Sequence, residues 1–165
     1  MGTLRRAAAM PQSLGAFLAG KTLAAAVVMA GVGVAGLALA WWLVGLRVSR
    51  LPAALVWVTA SGAAFFLLLS LVQMAASSPR TGNLLASVVI FPLAMLGGGF
   101  FPFEFMPPGL ARIGRLTPNG RMTAELHSIL SGPADPLRWT VALVGVGLFA
   151  AVAFALLSRR LRRLV

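Results

Sequence analysis

Eight residues near the start of the chain, Gly15-Ala-Phe-Leu-Ala-Gly-Lys-Thr22, match the phosphate-loop pattern G-x-x-x-x-G-K-[ST] at every fixed position. In that pattern backbone N–H groups cradle phosphates, the lysine reaches the terminal phosphates and the hydroxyl holds Mg²⁺. The chemistry requires a loop between a buried strand and a soluble helix. Here the preceding residues, Ala7-Ala-Ala-Met-Pro-Gln-Ser-Leu14, lack a β-branched run and contain Pro11, and a long apolar run follows Thr22. Magnesium would also need a nearby acid. The only acids, Glu104, Glu125 and Asp135, lie in one distant stretch. The octet is therefore read as a coincidence of pattern, with Lys21 snorkelling at the boundary of a membrane helix.

Few other residues could do chemistry. His127 is the single histidine, with no acid or nucleophile in a recognisable pattern around it, and reads as a polar-face residue. The absence of cysteine excludes disulfides and thiolate metal sites. Glu104 sits between Phe103 and Phe105. It could meet a cationic substrate, pair with an arginine of the same stretch, or mark the water boundary as a solvated charge. No catalytic, cofactor or metal site is predicted, and the chain is not read as an enzyme.

The elements that carry these residues are read from composition. Fifty-nine per cent of the residues are hydrophobic and 10% charged, against about 25% charged in a soluble domain. The net charge of +11 fits an anionic membrane surface rather than nucleic acid in so apolar a chain. The basic start is not a clear signal peptide, because its apolar run is too long and lacks a cleavage site. Four segments are expected to span the bilayer as helices, about 22–46, 53–74, 83–101 and 137–157, each near the roughly 20 apolar residues a crossing needs. The third is interrupted by Pro92 and by Gly97-Gly-Gly99.

Four crossings place both ends on one side. With cytoplasmic ends, that side holds Arg5, Arg6, Lys21, Arg80, Arg159, Arg160, Arg162 and Arg163, against Arg47, Arg50, Arg112, Arg115, Arg121 and Arg138 on the other. The arginine cluster directly after the last span sharpens this vote toward cytoplasmic ends. That cluster reads as a topological anchor or as a site for lipid or a partner. Trp41, Trp42, Trp57 and Trp139 fall near the opposite ends of their spans, as interfacial tryptophans do.

Residues 102–136 form the long connection. Pro107 and Pro108 suit a helix start. Leu110, Ile113 and Leu116 then recur at spacing three, and Pro118 ends that helix or begins the next. Met122, Leu126, Ile129 and Leu130 mark a second amphipathic stripe, stopped by Ser131-Gly-Pro133. Two short helices on or in the outer membrane surface are expected. Small residues four apart, Gly31/Ala35, Gly36/Ala40 and Gly147/Ala151/Ala155, are either helix–helix seams or products of an Ala- and Gly-rich composition. Ser70 and Gln73 share a face of the second span, bonding to a neighbouring helix or lining a route for cargo.

Two stretches together carry a family resemblance. One is Gly2-Thr-Leu-Arg-Arg6, then Pro11 and Gly20-Lys21 at the mouth of a span. The other is Gly97-Gly-Gly-Phe-Phe-Pro102, then Met106-Pro107, Leu116-Thr-Pro118 and a last span. The chain resembles the type-2 permease subunit of ATP-binding-cassette (ABC) exporters, its drug- and antibiotic-export branch above all, over nearly its whole length. The resemblance implies an all-α membrane protein: four transmembrane helices, a short amphipathic N-terminal cytoplasmic helix, and two short extracellular helices before the last span. It implies that Thr3, Leu4, Arg5, Arg6, Pro11, Gly20 and Lys21 face the ATPase and receive its motion. It implies that Gly97, Gly98, Phe100, Phe101, Pro102 and Pro107 belong to an outer gate.

The family has six spans and this chain matches the last four, so a truncated, split or mis-started permease is expected. The partners implied are an ABC ATPase subunit, a second permease copy or the missing N-terminal spans, and the lipid bilayer, with no nucleic acid. The location implied is the cell membrane, multi-pass, with both ends cytoplasmic. The rival reading is a four-span scaffold or accessory protein that transports nothing.

Overall fold

A computed structural model describes residues 14–164 apart from residues 75, 77 and 134. Six helices carry the described chain: α1 Leu14–Val44, α2 Leu51–Gln73, α3 Pro79–Leu96, α4 Pro108–Leu116, α5 Pro118–Ser131 and α6 Pro136–Leu164. Single 3₁₀ turns at Val48–Arg50 and Phe103–Phe105 connect them, and no strand occurs among the described residues. The all-α expectation holds for the reason lipid imposes: a helix satisfies every interior backbone group without water.

Local chemistry sets the ends. α1 stops where Gly45 takes a left-handed φ of 67° and returns its N–H to the Trp41 carbonyl at 2.9 Å. α2 opens with a proline in its first turn, where the missing N–H costs nothing. Ser78 caps α3 by accepting the Thr81 N–H at 3.2 Å. α1 is 31 residues long, or about 46 Å, against a hydrocarbon core of about 30 Å. The part after Lys21 alone reaches about 35 Å, so Lys21 sits where the helix has length to spare for the headgroups.

Three segments are long and apolar enough to cross a membrane: Ala16–Val44, Val48–Gln73 and Pro136–Arg160. α3 is shorter, apolar over Arg80–Leu96. At about 26 Å it lies at the lower limit of a crossing. Pro92 sits inside this helix without ending it, the break comes at the first of the three glycines, Gly97, and the helix ends at Leu96, five residues before the expected span limit at 101. Glycine and the following turn end the helix because Gly98 takes φ 79°, a conformation that costs other residues a Cβ clash.

α2 is the central helix, packed on α1, α3, α5 and α6. Two apolar cores lie along it. At one end Leu18 of α1, Leu67 of α2 and Ala153 and Leu157 of α6 pack together. At the other Leu37, Ala54, Trp57 and Ile129 do so. The first core joins the start of α1 to the last turns of α6, so both described ends of the chain lie at one end of the bundle (the tail end). The connection between α3 and α6 folds over the other (the cap end).

The small-residue seams are not where the spacings suggested. Gly31 and Gly36 meet nothing, and Ala35, Gly147, Ala151 and Ala155 are exposed. The α1–α2 contact uses Gly33 and Gly62 instead. A Cβ on Gly33 would lie 3.1 Å from Leu55 Cδ1, and one on Gly62 would lie 2.6 Å from Met29 Cγ. Each glycine admits a large side chain from the facing helix, which spacing-four counting does not detect. Ser70 bonds to its own helix, donating to the Phe66 carbonyl at 2.8 Å. Gln73 alone reaches a neighbour, donating to Asn83 Oδ1 at 3.5 Å.

Candidate functional site: the cap and its grooves

The cap is built on Phe103. Its buried ring lies against Gly98 and Gly114, where a Cβ would come within 2.9 Å and 3.1 Å of ring carbons. The Arg115 guanidinium stacks over the same ring at 5.3 Å. A Cβ on Gly114 would also collide with the Leu96 carbonyl, and one on Gly120 with the Gly114 carbonyl. The helix ends of α3, α4 and α5 thus meet backbone to backbone, which only glycine permits. Thr117 turns α4 into α5. Its hydroxyl accepts the Gly120 N–H at 3.0 Å and donates to the Gly114 carbonyl at 2.6 Å. Asn119 donates to the Leu93 carbonyl at 3.1 Å, tying the start of α5 to the last turn of α3.

Three further contacts clamp the cap to the spans. Trp57 is buried and its indole N–H donates to the Met122 carbonyl at 2.9 Å. Arg50 is 9% exposed, and its guanidinium donates to the Ile129 carbonyl at 2.9 Å. That carbonyl belongs to the last turn of α5, where the backbone lacks intrahelical donors and carries partial negative charge. The same guanidinium lies 5.3 Å from the Trp139 ring centre. Arg138 pairs with Glu125 through Nη2–Oε2 at 2.9 Å and Nε–Oε1 at 3.2 Å, the fork geometry of a bidentate pair. It is the only ion pair among the described residues. Asp135 caps the start of α6 by accepting the Arg138 N–H at 3.0 Å.

Two grooves flank this framework. The larger, about 720 Å³, opens between α5 and α6, with Arg115, Arg121, Glu125 and Arg138 at its polar part and Val146 and Phe149 in its apolar part. The smaller, about 380 Å³, is lined by Gly98, Phe103, Glu104, Arg115, Thr123 and His127. Glu104 and His127 are exposed, as a solvated charge and a polar-face residue should be, yet they share one groove with Arg115.

The residues expected at an outer gate divide by role. Gly97 ends α3, Gly98 makes the left-handed turn, and Pro107 precedes the first turn of α4. Phe100, Phe101 and Pro102 are exposed, and of the three the Pro102 carbonyl accepts the Phe105 N–H at 3.0 Å, closing the turn that carries Phe103. Among the residues expected to face an ATPase, Thr3, Leu4, Arg5, Arg6 and Pro11 lie outside the described residues, as does the stretch expected to form an amphipathic N-terminal helix. Gly20 and Lys21 lie within α1 on its exposed surface. Lys21 packs its ammonium over the Phe17 ring at 4.9 Å, and Thr22 donates to the Leu18 carbonyl at 2.9 Å. The octet that imitates a phosphate loop is continuous helix, so the amides of Gly20, Lys21 and Thr22 are spent on carbonyls one turn back.

Sequence reasoning missed Phe103, Asn119 and the inward roles of Arg50 and Trp57. The signals were thin: a phenylalanine among four in six residues, and an arginine two residues before the proline of a helix's first turn.

The family model for the ABC-2 type transporter matches residues 1–123, three quarters of the chain. The chain belongs to that family. Neither the curated proteins nor the solved structures supply a match. As an ABC-2 transporter membrane domain, it places three membrane-length helices and the shorter α3 under a cap of two short helices. The matched region runs from the start of the chain through α4 and into α5, so it takes in the Phe103 nest and the Asn119 tie.

Proposed function

We propose that this ABC-2 family chain is the membrane permease subunit of an ABC-type exporter of the drug- and antibiotic-export branch, powered by ATP hydrolysis on a separate ATPase subunit. The observation that carries the reading is the family match over residues 1–123 joined to membrane-length helices that hold no phosphate loop. A permease needs no hydrolytic group of its own, and the helical Gly15–Thr22 octet offers none. ATP therefore acts through a partner.

In this reading both ends are cytoplasmic and the chain sits in the cell membrane. Thr3, Leu4, Arg5, Arg6, Pro11, Gly20 and Lys21 form the surface that meets the ATPase. Lys21 supports this by standing exposed at the tail end, where α1 is longer than the hydrocarbon core requires. The cap faces outward and closes the exit, hinged at Gly97 and Gly98. A second permease copy completes the pathway, with the outward faces of α1 and α6 available to meet it.

The test is photo-crosslinking in native membranes from a probe placed at Lys21 and, separately, at Phe105. The reading predicts adducts to an ABC ATPase from position 21 and none from position 105. Adducts from 105, or from neither, would overturn it.

A further inference from the structure

The groove between α5 and α6 has a polarity gradient that the exporter reading does not use. Its rim carries Arg115, Arg121 and Arg138 against a single carboxylate, Glu125. Glu125 is taken by the bidentate pair with Arg138. Arg115 lies over the Phe103 ring, and neither it nor Arg121 has a carboxylate within ion-pair distance among the described residues. Two exposed guanidinium groups therefore stand at one mouth with no carboxylate of the described residues paired to them.

Below the rim the groove becomes apolar. Val141, Ala142, Gly145, Val146 and Phe149 of α6 form its floor, all within the segment of membrane length. From Arg138 to Phe149 the helix descends about 16 Å, close to half of a hydrocarbon core of about 30 Å. With that segment set across a bilayer, the groove runs from the headgroup level through one leaflet. Gly145 keeps it open, because a Cβ there would meet no atom within 4 Å. The volume of about 720 Å³ lies in the range of ligand pockets, about 300–1,000 Å³.

We propose that this groove binds an anionic phospholipid of the surrounding leaflet, its phosphate held by Arg115 and Arg121 and one acyl chain laid along α6 toward Phe149. Charge complementarity selects the anionic headgroup, since planar guanidinium forks match phosphate oxygens. The match between floor length and leaflet depth selects an acyl chain over a soluble phosphate. Glu125 keeps Arg138 turned along the rim and excludes a third phosphate contact. The proposal depends on the membrane setting of the chain and not on its coupling to an ATPase.

The test is native mass spectrometry of the purified full chain, delipidated in detergent and titrated with phosphatidylglycerol or phosphatidylcholine of identical acyl chains. The wild type is expected to retain phosphatidylglycerol about tenfold better. Exposed charge contacts contribute a few-fold each, so R115Q/R121Q is expected to bring the ratio close to one. The charge-matched variant R47Q/R112Q, whose arginines lie outside the groove, is expected to keep the preference. Gly145→Leu, which fits without a clash at Cβ, is expected to weaken both lipids about equally. Free glycerol 1-phosphate is expected not to displace the lipid. Equal retention of the two lipids by wild type, equal loss in both arginine pairs, unchanged binding in Gly145→Leu, or displacement by glycerol 1-phosphate would each overturn the assignment. Thermal unfolding of every variant in the same detergent separates loss of binding from loss of fold, and a pair that unfolds is replaced by R115K/R121K, expected to keep a reduced preference.

Discussion

Replacing Arg50 by methionine tests how the cap is held. The guanidinium is 9% exposed and makes one charge-assisted bond to the Ile129 carbonyl at 2.9 Å. Such a bond contributes about 1.5–3 kcal/mol. Stacking on Trp139 at 5.3 Å adds about 1 kcal/mol for a partly desolvated pair. Against these stands the cost of burying a cation with no carboxylate beside it, which methionine removes. Methionine fills a similar apolar volume, but it leaves a carbonyl at the C-terminal turn of α5 without its donor.

The net expectation is a loss of about 1–3 kcal/mol for R50M. R50K should fall between the two, keeping the charge but losing the planar stack. The assay is thermal unfolding of the detergent-solubilised chain, followed by tryptophan fluorescence, since Trp57 and Trp139 both lie at the α5–span contact. By the scaling of soluble domains of this size, the midpoint should drop by about 2–10 °C. An R50M midpoint equal to or above wild type would show instead that desolvation of the cation outweighs the bond and the stack together.

Other substitutions should separate the contacts by kind. Gly62→Leu should destabilise by about 1–3 kcal/mol through overpacking against Met29, whereas Gly31→Leu, which meets no atom at Cβ, should not; midpoints measured side by side decide. Gly98→Ala should lose about 1–3 kcal/mol, because φ 79° and the Phe103 ring both oppose a Cβ, and limited proteolysis should then cut the 97–107 turn faster. Lys21→Ala should leave nucleotide binding by the isolated chain at background, since the octet is helical; binding measured by fluorescent ATP and lost on substitution would contradict that.

The helices that face lipid were legible, because a long apolar run has few alternatives in a bilayer. The two cap helices were legible from their amphipathic stripes and prolines, and the structure resolves the ambiguity at Pro118 in favour of the start of α5. What the sequence hid depends on contacts between distant residues. Gly33 and Gly62 look like any other glycine in a chain with 18 of them. Their role exists only because Leu55, Val58 and Met29 arrive from the facing helix. Arg50 counted as a boundary charge, and Trp57 as an interfacial tryptophan. Both turn inward because α5 folds back over the ends of α2 and α6 and offers backbone carbonyls to them. The end of α3 was placed too late because apolar residues continue through Phe101, while the turn is decided by Gly98 and by the site it makes for Phe103.

In the proposed function this ABC-2 chain works as a permease driven by another polypeptide. The most direct measurement is purification of the tagged full chain from its native membrane in mild detergent, with ATP hydrolysis and the protein content of the complex read together. The expected result is an ABC ATPase in stoichiometric amount, with vanadate-sensitive hydrolysis that disappears when that subunit is stripped away. A chain recovered intact with no ATPase beside it, or one that hydrolyses ATP alone, would contradict it.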